Sequence, residues 1–407
     1  MINLRKALDD PGVARVLAVL DCAGEEARVI GGAVRDLVLG RAPGDFDIAT
    51  TALPPEVIRR AGEAGIKAVP TGIDHGTVTL VIEGRPFEVT TLRRDVETDG
   101  RHAVVAFGRD WAEDAQRRDF TFNALSLDRH GKVHDTTGGL ADLAARQVRF
   151  IGDPRLRIRE DYLRSLRFFR FHASYGQGNL DRDGFDAVVA ERAGLAQLSA
   201  ERVRVEIFKL LLAGGGVETV AVMAGAGILG RLLGGVPRIA RLRRMVEVER
   251  QAGLAPDAVR RLGALSVATI EEADRLRERL RLSNRDYAAL RESADVVPII
   301  SPDLDAASLR RLSYRLGSPV FRALVLSGWA SGRGHHDEDW LSLWRFAQMH
   351  EAPRLPWSGA DLLARGFRGT GVGEALRELE ELWISADFPS RESDLSRIFE
   401  SVAERPR

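Results

Sequence analysis

The sequence predicts an α+β fold, a small mixed sheet with helices followed by a long all-helical region, and three observations carry that reading. Short apolar runs at 27–30, 46–51, 77–82 and 86–92 are bounded by glycine, proline and charged turns, as strands are. Glu83-Gly84-Arg85 separates the last two runs as a hairpin would. From about residue 158 onward apolar residues recur at helical spacing and strand-like runs disappear.

Taken in order, residues 11–24 carry apolar side chains at helical spacing, and the run Ala27 to Ile30 ends at Gly31-Gly32, as a strand feeding a helix would. Phe46 to Thr51 reads as a strand. Pro54-Pro55-Glu56 starts a helix with proline in its first turn, and Gly65 stops it. In the helical region, breaks are expected near 173–183, 212–216, 233–237, 252–256, 299–303, 331–338 and 352–359. No internal repeat stands out.

The chain has 407 residues, with 59 basic and 59 acidic side chains. Its length allows several domains, and with no net field any nucleic-acid surface must come from local clustering. The basic residues are nearly all arginine, lysine occurring only at 6, 67, 132 and 209. One cysteine, Cys22, excludes an intramolecular disulfide and a zinc finger and fits a reducing compartment, so the cytoplasm is expected. No secretory leader and no apolar run long enough to span a membrane are seen, so no membrane partner is expected.

Chemistry first shows at Gly44-Asp45-Phe46-Asp47-Ile48. On a strand, spacing i and i+2 puts both carboxylates on one face and turns Phe46 and Ile48 to the other. Like charges held that close are costly unless a cation neutralises them, and hard oxygen ligands suit magnesium carrying a phosphate substrate. By itself the pair could equally be solvated. Upstream, Gly31-Gly32 stands at a strand-to-helix junction with Arg35 one turn in. Bare backbone N–H groups there can meet phosphate oxygens and Arg35 can add a charged fork, unless Arg35 merely pairs with Asp36. Glu88 could complete a metal cluster if its strand neighbours the aspartates.

These stretches are recognisable. Gly31-Gly32-Ala33-Val34-Arg35-Asp36, then Gly44-Asp45-Phe46-Asp47-Ile48-Ala49-Thr50, then Phe87-Glu88-Val89-Thr90-Thr91-Leu92-Arg93 resemble the head of the class II tRNA nucleotidyltransferase and poly(A) polymerase superfamily. Arg117-Arg118-Asp119-Phe120-Thr121-Phe122-Asn123-Ala124-Leu125 resembles its ribose-selecting motif, and Asp135-Thr136-Thr137-Gly138-Gly139 its hinge motif. Glu160-Asp161-Tyr162-Leu163-Arg164 matches the nucleobase-reading motif, Glu201-Arg202 with Glu206 the helix supporting it, and 359–373 the tail segment. The resemblance is strong over about 27–211 and thinner beyond. It implies a nucleotidyltransferase head at 1–145, a base-reading and RNA-binding neck at 146–215, a helical body at 216–300 and a helical tail at 301–407.

The neck is locally basic: arginines 146, 149, 155, 157, 159, 164, 167 and 170 face only Asp153, Glu160 and Asp161. Arginines 164, 167 and 170 recur at helical spacing, with Asp161 one turn before the first. An aspartate offers acceptors to an exocyclic amine and an arginine donors to a ring nitrogen or carbonyl, so such a pair can imitate a base edge. An ordinary helical ion pair would look the same. The resemblance implies that Asp161 and Arg164 read the base, that Arg167 and Arg170 line the nucleotide site and that Glu160 positions the arginine. It further implies that Arg118 and Asp119 meet ribose or phosphate, and that Asp45, Asp47 and Glu88 are catalytic. Two magnesium ions on Asp45 and Asp47 are implied, with tRNA, CTP and ATP as partners; a monomer is expected, although the resemblance does not itself imply it. The stretch between Arg93 and Arg117, including Asp99-Gly100-Arg101-His102, is expected to be a mobile loop. Phe168, Phe169 and Phe171 read as core contacts.

The implied reaction is template-independent addition of CCA to the 3′ end of tRNA with release of pyrophosphate. A poly(A) polymerase, or an enzyme adding only C or only A, is the alternative. Thr71-Gly72-Ile73-Asp74-His75-Gly76-Thr77-Val78-Thr79 has the form of the CCA enzymes and not the basic element of poly(A) polymerases. His335-His336-Asp337 invites a metal-hydrolase reading, but only His350 lies nearby in the sequence, which favours a solvated loop.

Overall fold

In the computed structural model, residues 8–98, 103–292, 294, 300–332 and 334–404 are described. They form two compact units, one ending at Gly234 with residues 279–281 added, the other made of the remaining residues from Gly235 onward.

The first unit opens with helix α1 (Pro11–Leu20), where the Asp10 carboxylate accepts from the N–H groups of Gly12 and Val13 and proline occupies the first turn. A seven-stranded mixed sheet follows. Strand β1 (Ala27–Ile30) runs into α2 (Gly32–Val38), then β2 (Asp47–Thr50), α3 (Pro54–Glu63), β3 (Lys67–Gly72), β4 (Thr77–Ile82) and β5 (Arg85–Thr91). The short strands β8 (Ser126–Leu127) and β9 (Val133–His134) complete the order β3-β4-β5-β2-β1-β8-β9. Only the central pair β2–β5 is parallel, Asp47 standing opposite Glu88. The β4–β5 turn sets both Glu83 and Gly84 at positive φ, the twist that a two-residue hairpin loop needs. Alternation in β4 and β5 buries Val78, Leu80, Phe87 and Val89 on one face and leaves Glu88 exposed.

The stretch after Arg93 departs from the loop expectation. Strands β6 (Arg93–Thr98) and β7 (Ala103–Phe107) pair antiparallel as a separate ribbon. Asp99-Gly100-Arg101-His102, the core of the expected mobile loop, lies outside the described residues. Helix α4 (Trp111–Gln116) then leads through the turn at Thr121–Asn123 to β8.

After α5 (Gly139–Ala144), α6 (Pro154–Glu160) is capped by Asp153, and the chain breaks at Asp161-Tyr162 before α7 (Leu163–Tyr175). Asp161 and Arg164 therefore do not share one continuous helix. The Asp161 backbone and side chain instead take the N–H groups of Arg164 and Leu163, satisfying donors that open α7. Helices α8 (Arg182–Glu191) and α9 (Ala200–Leu212) pack nearby, followed by α10 (Gly216–Gly225) and α11 (Ile228–Leu233). Phe168, Phe169 and Phe171 are buried, Phe168 and Phe171 meeting Phe120, as core contacts should.

The second unit is helical throughout its described residues: α12 (Ile239–Gln251), α13 (Ala258–Ser266), α14 (Ile270–Leu280, its end falling in the first unit), α15 (Asn284–Glu292), α16 (Ala306–Leu316), α17 (Ser318–Ala330), α18 (Asp337–Met349), α19 (Gly359–Ala364), α20 (Thr370–Ser385) and α21 (Glu392–Ala403). Trp329, Trp340, Trp344 and Phe321 anchor one core; Leu362, Ala375, Leu379 and Val402 form a smaller one. His336 caps α18 in a reciprocal box with Asp339, and Asp337 accepts from Arg244, Gln251 and the Trp329 indole. The His-His-Asp run is thus a helix start.

Phe168 has no exposed surface and stacks on Phe120 and Phe150. Phe168→Ala is expected to cost about 3–5 kcal/mol, read as a lower urea midpoint for unfolding of the first unit.

Candidate active site

The site is built where β1, β2 and β5 end beside the ribose-motif turn. Gly31 caps α2 at φ 68°, ψ −128°, a region that side chains avoid, and its N–H donates to the Leu125 carbonyl. A Cβ on Gly31 would lie 3.9 Å from Arg118 Nη1, so the bare turn and that guanidinium face each other. Arg118 is held by Asp114, which accepts from its Nε at 3.2 Å and its Nη2 at 2.9 Å.

Asp45 lies in the bend before β2 and Asp47 is the strand's first residue. Both are exposed, while Phe46 and Ile48 between and after them are buried. Asp47 is open to solvent on one side, but the protein mass around the rest of its carboxylate, then the charge of Glu88 across the parallel register and that of Asp45, push it above the ordinary aspartate range, while Arg118 pulls it back. Three acids therefore crowd one edge of the sheet at an energetic cost that a cation would relieve. Among the described residues no three such side chains are drawn together tightly enough to hold an ion by protein ligands alone. A carboxylate pair completed by phosphate oxygens and water is the coordination magnesium adopts, so Asp45 and Asp47, with Glu88 alongside, fit that ion.

Arg35 is placed differently from the expectation that it forks onto phosphate. It is buried, with Nε and Nη2 on Asp36 and Nη1 on Asn123 Oδ1 at 3.0 Å, and it lies 4.3 Å from the Tyr175 ring centre. In this arrangement it braces the glycine turn. Asn123 passes the brace on, its Nδ2 donating at 3.1 Å to Asp119, which also accepts from the Phe120 N–H and from Arg167 Nε at 2.7 Å.

On the neck, Arg164 donates through Nη1 to Glu160 and to the Arg157 carbonyl. Arg170 Nε donates to Glu206 at 2.5 Å and its guanidinium lies over Phe171 at 3.8 Å. Asp161 accepts from Arg202 Nη2 at 2.6 Å, so its resting partner is Arg202 on α9 and not Arg164. Arg202 and Glu206, one turn apart on α9, thus reach Asp161 and Arg170 respectively. Asp114 and Arg157 were missed in the sequence. The spacing of Asp114, three and four residues before Arg117 and Arg118 on a helix, was a signal for the first; nothing local marked the second.

A model of the poly(A) polymerase head domain matches residues 27–149, and one of the probable RNA and SrmB-binding site of polymerase A matches 179–241. CCA tRNA nucleotidyltransferase 1, mitochondrial, of Danio rerio is 33% identical over 398 residues, spanning 91% of this chain and 86% of its own. The CCA-adding enzyme of Bacillus velezensis is 31% identical over 387 residues, spanning 92% and 93%. The chain belongs to the class II CCA-adding tRNA nucleotidyltransferase family. The fold agrees: the crystal structure of the Bacillus stearothermophilus CCA-adding enzyme in complex with CTP superposes with a TM-score of 0.73 at 26% identity over 98% of each chain. The Thermotoga maritima CCA-adding enzyme complexed with tRNA shares the fold, with a TM-score of 0.73 at 20% identity. Members of this nucleotidyltransferase family depend on divalent metal. No helix among the described residues is long and apolar enough to cross a membrane.

Because Asp47 is raised, its ionised form opposes folding at any pH above its shifted value, and the penalty vanishes below the ordinary aspartate range. Asp47→Asn should therefore melt slightly higher than the unaltered protein in EDTA at neutral pH, and should lose the melting-temperature rise that magnesium gives. Calorimetry with and without the ion checks both signs.

Proposed function

We propose that this chain adds CCA to the 3′ end of tRNA from CTP and ATP, releasing pyrophosphate at each step, without a nucleic-acid template. The observation that carries the reading is the placement of Asp47 opposite Glu88 with Asp45 beside it, on the edge that faces Arg118 and the glycine turn. Full-length relatives that add CCA support the substrate assignment.

Asp45 and Asp47 would hold two magnesium ions, which when bound neutralise triphosphate charge and lower the pKa of the attacking 3′-hydroxyl. Arg118, aimed by Asp114, meets ribose or phosphate beside Gly31 and Gly32, whose lack of side chains lets backbone N–H groups approach the triphosphate. Arg35 serves this site by holding the turn. Asp119, fixed from three sides, presents its edge to the ribose. Asp161 and Arg164 read the base: the aspartate leaves Arg202 to accept the exocyclic amine, and the arginine donates to the ring. Cytosine and adenine both carry that amine. Arg167 and Arg170 line the pocket while remaining tied to Asp119 and Glu206. Orientation and charge neutralisation supply the catalysis, so no side chain need act as a strong base. The protein acts as a monomer, and its lone Cys22 suits a reducing compartment such as the cytoplasm.

Pure protein incubated with tRNA ending at the discriminator base should incorporate labelled CMP twice and AMP once, then stop. Asp45→Ala should abolish incorporation with an unchanged circular dichroism spectrum. Long adenylate tracts on arbitrary RNA would replace this reading with a poly(A) polymerase, and incorporation of CMP alone or AMP alone with a split specialist.

A further inference from the structure

Arg157 lies outside the ribose-selecting motif at 117–125 and the base-reading motif at 160–164, yet it touches both. Its Nη2 donates to two consecutive carbonyls, those of Arg117 and, at 2.6 Å, Arg118. Its Nη1 donates to Glu160 Oε2 at 2.6 Å. The same Glu160 oxygen takes Arg164 Nη1, which also donates to the Arg157 carbonyl at 3.0 Å. Arg157, Glu160 and Arg164 thus close a ring, and the ring is anchored to the peptide immediately before Asp119. Only 12% of the Arg157 side chain is exposed.

We propose that Arg157 is a positioning residue for nucleotide selection, a strut that sets the spacing between the ribose-facing Arg118-Asp119 segment and the base-facing Arg164. The inference deepens the nucleotidyl-transfer reading and rests on it. A planar guanidinium can join a carboxylate on one side to backbone carbonyls on the other, which a lysine ammonium does less rigidly and a methionine not at all. The arrangement is not one that maximises stability, since Arg157 Nε is buried with no partner. What it achieves is direction. Arg164 has two acceptors, and one of them is held by Arg157 while the other is Arg157's own carbonyl. Releasing the strut frees Arg164 to swing and lets the ribose segment drift relative to it. Selection by hydrogen bonds to the base edge degrades when donors and acceptors no longer meet at fixed spacing.

A residue that only stabilised the fold would, when replaced, lower the melting temperature and the active fraction while surviving molecules chose nucleotides as before. Selectivity is therefore the readout. In the full chain, Arg157→Met and Arg157→Lys are assayed with CTP against UTP on tRNA lacking its CCA end and with ATP against GTP on tRNA ending in CC. In the methionine variant kcat/KM for CTP and ATP should fall by about a hundredfold, the order expected of a small misplacement. The CTP-over-UTP and ATP-over-GTP preferences should shrink by about tenfold, with the lysine variant intermediate because it keeps a charge against Glu160. Should the methionine variant fail to fold, the lysine variant decides alone. Unchanged preferences in a folded variant, however slow, overturn the inference. If the unaltered protein incorporates neither CMP nor AMP, the proposed function fails instead, and the two failures are told apart.

Discussion

The arrangement of the site depends on one buried carboxylate. Asp119 follows directly on Arg118 and accepts hydrogen bonds from its neighbour's peptide N–H, from Asn123 and from Arg167. Burial alone would raise its pKa, but Arg167, Asn123 and that N–H outweigh it and hold it below the ordinary value. Its stabilising effect is therefore complete above the ordinary aspartate range and fades only as pH falls through the lowered one. Arg167 shows the matching response: burial would lower it, and Asp119 holds it raised. The Asp119 side chain is 11% exposed and that of Arg167 32%, so removing the arginine costs more than removing the aspartate, because the guanidinium left behind still reaches water.

From Asp119 the connections run outward without interruption. Through Asn123 they reach Arg35, Asp36 and the glycine turn; through Arg167 they reach α7, where Arg170 continues to Glu206 on α9. The sheet edge, the ribose turn and the neck helices are thereby set against each other within a single compact unit. Hydrogen bonds inside such a network reinforce one another, which favours one geometry over many.

Much of this was legible in advance, and the exceptions have physical causes. The β4–β5 hairpin was readable because Gly84 takes positive φ freely and the flanking residues alternate, although Glu83 before it also sits at positive φ. The acidic edge was readable because the two-residue period of extended chain decides which side chains share a face, and it holds even though Asp45 itself precedes the strand. Strand β6 escaped because Arg93-Arg94-Asp95-Val96-Glu97-Thr98 has the composition of a solvated loop, whereas its partner β7, Ala103-Val104-Val105-Ala106-Phe107, is an apolar run that the expectation of one loop over the whole stretch passed over. The break at Asp161 escaped because helical spacing persists across it, and only the capping of Leu163 reveals that a new helix starts. The pairing of Arg35 with its neighbour Asp36 was among the readings the sequence offered, but its bond to Asn123 escaped, a tertiary contact that no local pattern encodes.

A common feature of the arginines proposed to face the nucleotide shows how a chain of zero net charge can gather basic residues locally. Arg118 is paired with Asp114, Arg164 with Glu160, Arg167 with Asp119 and Arg170 with Glu206. Each pairing weakens the raw attraction for phosphate, because part of the charge is already balanced. Each also fixes the direction in which the remaining N–H groups point, which matters more for a site that must accept two bases and refuse two others. Long-range charge would draw every nucleoside triphosphate alike, since all four carry the same phosphates. Discrimination has to come from donors and acceptors held at fixed spacing, and carboxylates behind the arginines provide that rigidity.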